Sequence, residues 1–430
     1  MGSKDIIKDS SSNSNQPQSA TANYDDEEQT PGLIYKGPVN RSAFRALVQD
    51  FSPIWFTWCM NAGVIGTLLH QLPYQFPGLH VLSTIAFTTD LALYVVFSAI
   101  YVLHFVMFRR RAYKELVDNV MDLLLFPCWS IAFMTLVSFV TLTVSEAPWG
   151  GHAFTIVACV MWWIAAAWSF GMLFFVFSNL IQQHTILDRQ LPTLIIIPAV
   201  GVATLAAVGG VFSSFAHSVS PGLAVPVIIM SMCALGVGIF LGMILYTYLL
   251  HQLLAKGWPA PPMTATLFIL VGPMGQSAAA LQLLGSAAST HGQFRGYHRG
   301  VFLTEAAAGS LQVTCIFLAL LMTGLGAVFL GFAIIAMFHR ILNGELTWAP
   351  TWNAIIFPTG TLTTATLLLG TELDSAFFKV VTVVQVIFLI LIFFINAAYT
   401  LQKIYRGELL IVKEDPRLNP AVPAGKPKAT

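Results

Sequence analysis

The sequence predicts an all-α integral membrane protein. It predicts ten transmembrane helices, paired as five helical hairpins in a quasi-fivefold arrangement around a central pore, with the odd-numbered helices inside and kinked at prolines. Three observations carry this expectation. Hydrophobic residues make up 56% of the chain and charged residues 10%, against about 25% charge in a soluble domain; mean hydropathy is +0.73. The apolar residues run in stretches of the length that crosses a bilayer as helix, about 20 residues. Finally, one proline recurs in similar settings: Phe51–Thr57 (FSPIWFT), Leu125–Ile131 (LFPCWSI), Ile196–Val202 (IIPAVGV), Val271–Ser277 (VGPMGQS) and Ile356–Leu362 (IFPTGTL). These lie about 75 residues apart, and a regular period that long marks a duplicated structural unit.

The spans fall near 52–71, 79–108, 119–145, 152–184, 192–217, 222–255, 262–289, 301–342, 350–370 and 374–403. None shows the short alternating pattern of a membrane β-barrel. The eighth stretch is long enough to be split near Gly324 and Gly326. A split would leave an apolar turn in lipid with unsatisfied backbone groups, so one long helix is expected. Its outer end carries Glu305, within reach of Arg295 or Arg299. With the N-terminus inside, all but Arg295, Arg299 and Lys379 of the 21 Lys and Arg fall in cytoplasmic segments, and positive charge stays inside. Both termini are therefore expected in the cytoplasm. Residues 1–39 read as a polar disordered tail, 40–405 as the membrane domain and 406–430 as a second tail. Within the domain, residues 40–50 read as a short amphipathic helix.

Each proline sits on an odd-numbered span, and all odd spans run in the same direction. Parallel repeats imply an axis along the membrane normal. Proline removes a backbone hydrogen bond, and in lipid the freed carbonyl must find protein or pore water. That argues for the inner position. The residue before each proline and the third one after it share a helix face. The pairs are Ser52/Phe56, Phe126/Ser130, Ile197/Gly201, Gly272/Gln276 and Phe357/Thr361. The face is aromatic, small or neutral polar, and Asn61, Thr57, Thr204, Ser277, Thr359 and Thr363 add neutral donors to the same helices. Hydroxyls and amides of this kind replace part of an ion's hydration weakly enough to let it leave. The expected substrate path is Phe56, Asn61, Ser130, Gln276 and Thr361, with Phe126 and Phe357 as candidate gates.

Other chemistry has little support. The five cysteines lie in apolar stretches without a CxxC pair, no HExxH is present, and phosphate-loop and dinucleotide fingerprints are missing. No metal, cofactor or catalytic group is expected, nor nucleic-acid binding at a net charge of +1. Of the acids in or near spans, Asp118 and Asp122 fall at the cytoplasmic entry beside Arg109–Lys114. Asp90 falls on an even helix, outside the inner ring. The pore face is thus expected to be uncharged, which leans away from cations.

The stretches LFPCWSI, LPTLIIIPAVG, LVGPMGQ and IIFPTGT resemble the tellurite-resistance/dicarboxylate transporter family, a likeness that covers about residues 50–405. Within that family, PIWFTWCMNAGVIGTLLHQLPYQF is most similar to the fungal sulfite efflux branch. The resemblance implies ten helices in five hairpins, a homotrimer of separate pores, and a gating phenylalanine on the ninth helix, here Phe357. It also implies a plasma-membrane transporter of sulfite, bisulfite or a similar small anion, with a C4-dicarboxylate such as malate as the alternative, and no enzyme activity.

Overall fold

The computed structural model describes residues 43–183 and 192–410. The expected tails at 1–39 and beyond 410 lie outside the described residues. Among the described residues the chain is helical apart from an isolated bridge between Arg299 and Leu303. The helices are α1 (Ala43–Gln49), α2 (Phe56–Gln71), α3 (Leu79–Asp118), α4 (Val120–Leu125), α5 (Cys128–Phe139), α6 (Gly151–Gln183) and α7 (Ile197–Phe215). They continue as α8 (Pro221–Lys256), α9 (Val271–Ala288), α10 (Gln293–Tyr297), α11 (Glu305–Leu342), α12 (Ile356–Glu372) and α13 (Ala376–Arg406). Nine described helices, counted with the short segments that extend them, are long and apolar enough to cross a membrane. Helix α2, the first expected span, is not among them: it has 16 residues and is shorter than a full span.

The prolines act differently from a simple mid-helix kink. In four repeats a 3-10 segment leads into the α-helix: Pro53–Trp55, Thr193–Ile196, Pro261–Leu270 and Pro350–Ile355. In the remaining repeat, α4 stops at Leu125 and α5 starts at Cys128, with Phe126 and Pro127 between. Pro198, Pro273 and Pro358 fall in the first turn of α7, α9 and α12. The first N–H groups of an α-helix have no intrahelical acceptor, so proline there gives up nothing. Each inner helix is therefore two short helices end to end, and the groups freed at the joint must be satisfied from elsewhere.

Burial separates the two sets of helices. In the proline-bearing spans Val120–Val144, Thr193–Phe215, Pro261–Ala288 and Pro350–Glu372, 72–100% of the most apolar stretch is buried; in α3, α6, α8, α11 and α13 the range is 11–44%. Apolar residues exposed in number on a membrane helix face lipid or another subunit, because lipid sets no penalty on them. Each proline-bearing helix packs on a long partner that follows it: α2 on α3, α5 on α6, α7 on α8, α9 on α11 and α12 on α13. The buried helices also touch each other in sequence, α2 to α5, α5 to α7, α7 to α9, α9 to α12 and α12 to α2. Glycine opens several of these contacts. A Cβ on Gly210 of α7 would stand 2.6 Å from Leu283 Cβ of α9, and one on Gly360 of α12 would stand 2.8 Å from Val64 of α2.

The long helices carry two further features. The expected eighth span is a single helix of 38 residues, capped by the Thr304 hydroxyl on the Ala307 N–H. Its Glu305 faces Arg295 at 3.9 Å. In α3 the helix breaks at Arg109, where φ is +34°, and then runs on to Asp118, past the expected end at 108. The break coincides with the basic cluster Arg109–Arg111, which is mostly exposed. Helix α1 lies against α3, with Val48 O accepting from the His104 ring at 2.9 Å.

Candidate functional site

The joint in α12 is repaired by a side chain. Phe357 N–H would ordinarily donate to Asn353 O, four residues back. The Asn61 carboxamide of α2 stands between them instead. Phe357 N–H donates to Asn61 Oδ1 at 3.0 Å, and Asn61 Nδ2 donates to Asn353 O at 3.2 Å and Asn353 Oδ1 at 3.0 Å. Asn396 Nδ2 of α13 donates to the same Asn353 Oδ1 at 2.9 Å, and Trp348 Nε1 donates to Asn396 Oδ1 at 2.9 Å. Asn61, Asn353 and Asn396 are buried. Buried amides are costly unless paired; here the four residues pair one another and fix the main chain at Phe357.

The α9–α12 contact is built the same way. Thr361 Oγ1 lies 2.7 Å from Pro358 O in its own helix and 3.1 Å from Gly272 O in α9. One turn on, Gly275 meets the backbone of α12, where a Cβ would stand 2.7 Å from Leu362 Cα. The carbonyl of Leu270, at the start of α9, accepts from the Tyr246 hydroxyl of α8. Gln276 is the exception among these polar groups. It is 8% exposed, and among the described residues its amide makes no hydrogen bond.

The expected path residues thus divide into two places. Asn61, Phe357, Thr361 and Gln276 gather where α2, α9 and α12 meet. Phe56, Phe126 and Ser130 belong to the α2–α3–α5 corner. Phe56 is fully buried and its ring lies 5.7 Å from those of Tyr101 and Trp129. Phe126 packs on Phe175 of α6 at 5.6 Å and on Tyr101 of α3 at 6.2 Å, both on long outer partners. Ser130 Oγ donates to Pro127 O at 2.9 Å, a carbonyl that also accepts from the Ile131 N–H at 3.0 Å.

Sequence reasoning missed Asn353, Asn396 and Trp348. Asn353 was within reach, since it stands four residues before Phe357, at the position whose carbonyl a continuous helix would pair with the Phe357 N–H. Asn396 and Trp348 carry no local signal. Asp90 belongs to the outer helix α3, yet it is fully buried, and its carboxyl lies against Thr135 of α5 at 2.6 Å. A helix can sit outside and still turn one polar residue inward. Among the described residues no three His, Cys, Asp or Glu side chains are grouped so as to hold a metal.

The fold and these joints define a multi-pass helical membrane protein whose buried helices are broken and repaired by neutral side chains. The chain belongs to the voltage-dependent anion channel family SLAC1, whose signature matches residues 50–401. It is a transport protein for anions rather than an enzyme. It is 28% identical over 333 residues to the sulfite efflux pump SSU1 of Trichophyton rubrum, covering 77% of this chain and 85% of that protein. The SSU1 protein of Arthroderma benhamiae is 29% identical over the same shares. A putative malic acid transport protein of Schizosaccharomyces pombe is 22% identical over 392 residues, covering 91% of this chain and 88% of that protein.

Proposed function

We propose that the protein exports sulfite or bisulfite across the plasma membrane through a central pore lined by α2, α5, α7, α9 and α12. In this reading the ten spans form five hairpins, both termini lie in the cytoplasm, and three copies associate with separate pores. Phe357 restricts the passage. Gln276 offers hydrogen bonds to the anion, and the Thr361 hydroxyl on α12 and the Ser130 hydroxyl two repeats away join it by turning from the carbonyls they hold. Asn61 acts through Phe357, because both ends of its amide are taken by α12. Phe56 and Phe126 brace the wall beside α3 and α6, which leaves the gate to Phe357.

The observation that carries the reading is Gln276. It is a neutral amide on a wholly buried helix and makes no hydrogen bond among the described residues. Such a group suits a solute that strips and regains water quickly. The sulfite choice rests on the identity to two sulfite efflux pumps. A second reading, malate transport, has the longer but weaker match to the yeast malic acid protein. A dicarboxylate would favour a cation on the path, and α2, α5, α7, α9 and α12 carry no Lys or Arg.

Purified protein in liposomes, loaded with sulfite or malate in turn, separates the two. Sulfite release that increases in Phe357→Ala, with malate retained, supports export of sulfite. Malate release without sulfite release replaces it with the second reading.

A further inference from the structure

Asp90 is the acid the anion path does not use, and its surroundings say which form it takes. Its side chain is fully buried. Oδ2 lies 2.6 Å from Thr135 Oγ1, and that same hydroxyl lies 2.7 Å from Ala132 O. Oδ1 meets no partner. A threonine hydroxyl has one hydrogen to give. Were Asp90 ionised, two acceptors would share that hydrogen, and a bare charged oxygen would stand in the membrane interior. A neutral acid resolves the geometry: Asp90 O–H donates to Thr135 Oγ1, and Thr135 O–H donates to Ala132 O.

The groups facing Asp90 supply no countercharge. From α2 come Cys59 and Gly63, from α5 Thr135, and from its own helix Tyr94. No cation pairs with it among the described residues. Gly63 is cut away to admit the carboxyl: a Cβ there would stand 2.6 Å from Asp90 Oδ2. The carboxyl therefore spans the join between an outer helix and two helices of the inner wall.

We propose that Asp90 is a proton-bearing switch: as the neutral acid it ties α3 to α2 and α5, and its ionisation sets a negative charge behind the inner wall and slows the passage of anions. No bond other than O–H breaks; the proton leaves to water and returns from it. A like charge in a medium of low dielectric repels strongly, so loss of one proton reaches the path without any contact with the ion.

Two measurements test this on the full chain in liposomes. Infrared difference spectra of wild type against Asp90→Asn are expected to show the carbonyl stretch of a protonated acid at neutral pH, fading as the buffer is made alkaline. A carboxylate band at neutral pH would overturn the proposal. Chloride efflux, whose ion does not itself titrate, is expected to fall about tenfold in wild type from mildly acid to alkaline buffer, and to stay at the acid level in Asp90→Asn. Identical pH profiles in the two proteins would equally overturn it. The flux measurement rests on anion transport and the infrared one does not. If both proteins pass no anion and the acid band is present, the transport reading fails and the proton stays assigned.

Discussion

The Asn61 carboxamide is inserted into the main chain of α12 at Phe357. It accepts from the Phe357 N–H at 3.0 Å and donates to the Asn353 carbonyl at 3.2 Å. A side chain of α2 thereby replaces one backbone bond of α12. The bonded groups are buried, so water does not compete for them. The position of the Phe357 backbone is held by two helices rather than by its own.

Asn61→Leu keeps the bulk of the side chain and removes all three of its hydrogen bonds. It leaves the Phe357 N–H buried and unpaired, at a cost of about 1–3 kcal/mol, while the Asn353 carbonyl keeps the Ile356 N–H. The expected result is a clear drop in the melting temperature of the purified protein, together with an anion leak as Phe357 loosens. An unchanged melting temperature would show that the insertion does not support the fold.

Phe357→Ala is expected to raise anion flux in liposomes by about tenfold or more, and to lower stability by roughly 3–5 kcal/mol if the ring is not replaced by water. Flux equal to or below wild type, in protein that still folds, would remove Phe357 as the gate.

Gln276→Leu tests the unspent amide. Its loss breaks no hydrogen bond among the described residues, so thermal stability should hold or rise slightly. Anion flux is expected to fall by about tenfold, the equivalent of one polar contact worth roughly 1.4 kcal/mol. Undiminished flux would place the path elsewhere.

Gly275→Ala adds one methyl group 2.7 Å from the Leu362 Cα, where only backbone is available to move. Overpacking of this kind costs about 1–3 kcal/mol. Gly236→Ala on α8 is the control, because a Cβ there meets nothing within 4 Å. That change should gain about 0.5–1 kcal/mol from helix propensity. Parallel thermal melts of the two variants give the comparison, and equal behaviour would deny the close approach of α9 and α12.

Much of the architecture was legible because lipid imposes a simple rule on sequence. Apolar stretches had to be long, and the recurring proline marked which of them were broken. The broken helices are the buried ones, for the reason the sequence supplied: a freed carbonyl needs a partner, and lipid offers none. The form of the break was less legible. Proline inside an apolar run reads as a kink, whereas Pro198, Pro273 and Pro358 stand in the first turn of a restarted helix.

By itself, then, the sequence determined the membrane class, the placing of the spans and the neutral character of the inner faces, since these follow from local composition and spacing. The tertiary structure alone decided which group mends which break. Asn61 and Asn353 are separated by nearly three hundred residues of chain, and no local pattern links a side chain on one helix to an unpaired N–H on another. The same holds for Asp90, whose burial depends on Gly63 and Thr135 arriving from two other helices. A hydrogen bond is set by distance in space, and only the packed bundle supplies that distance.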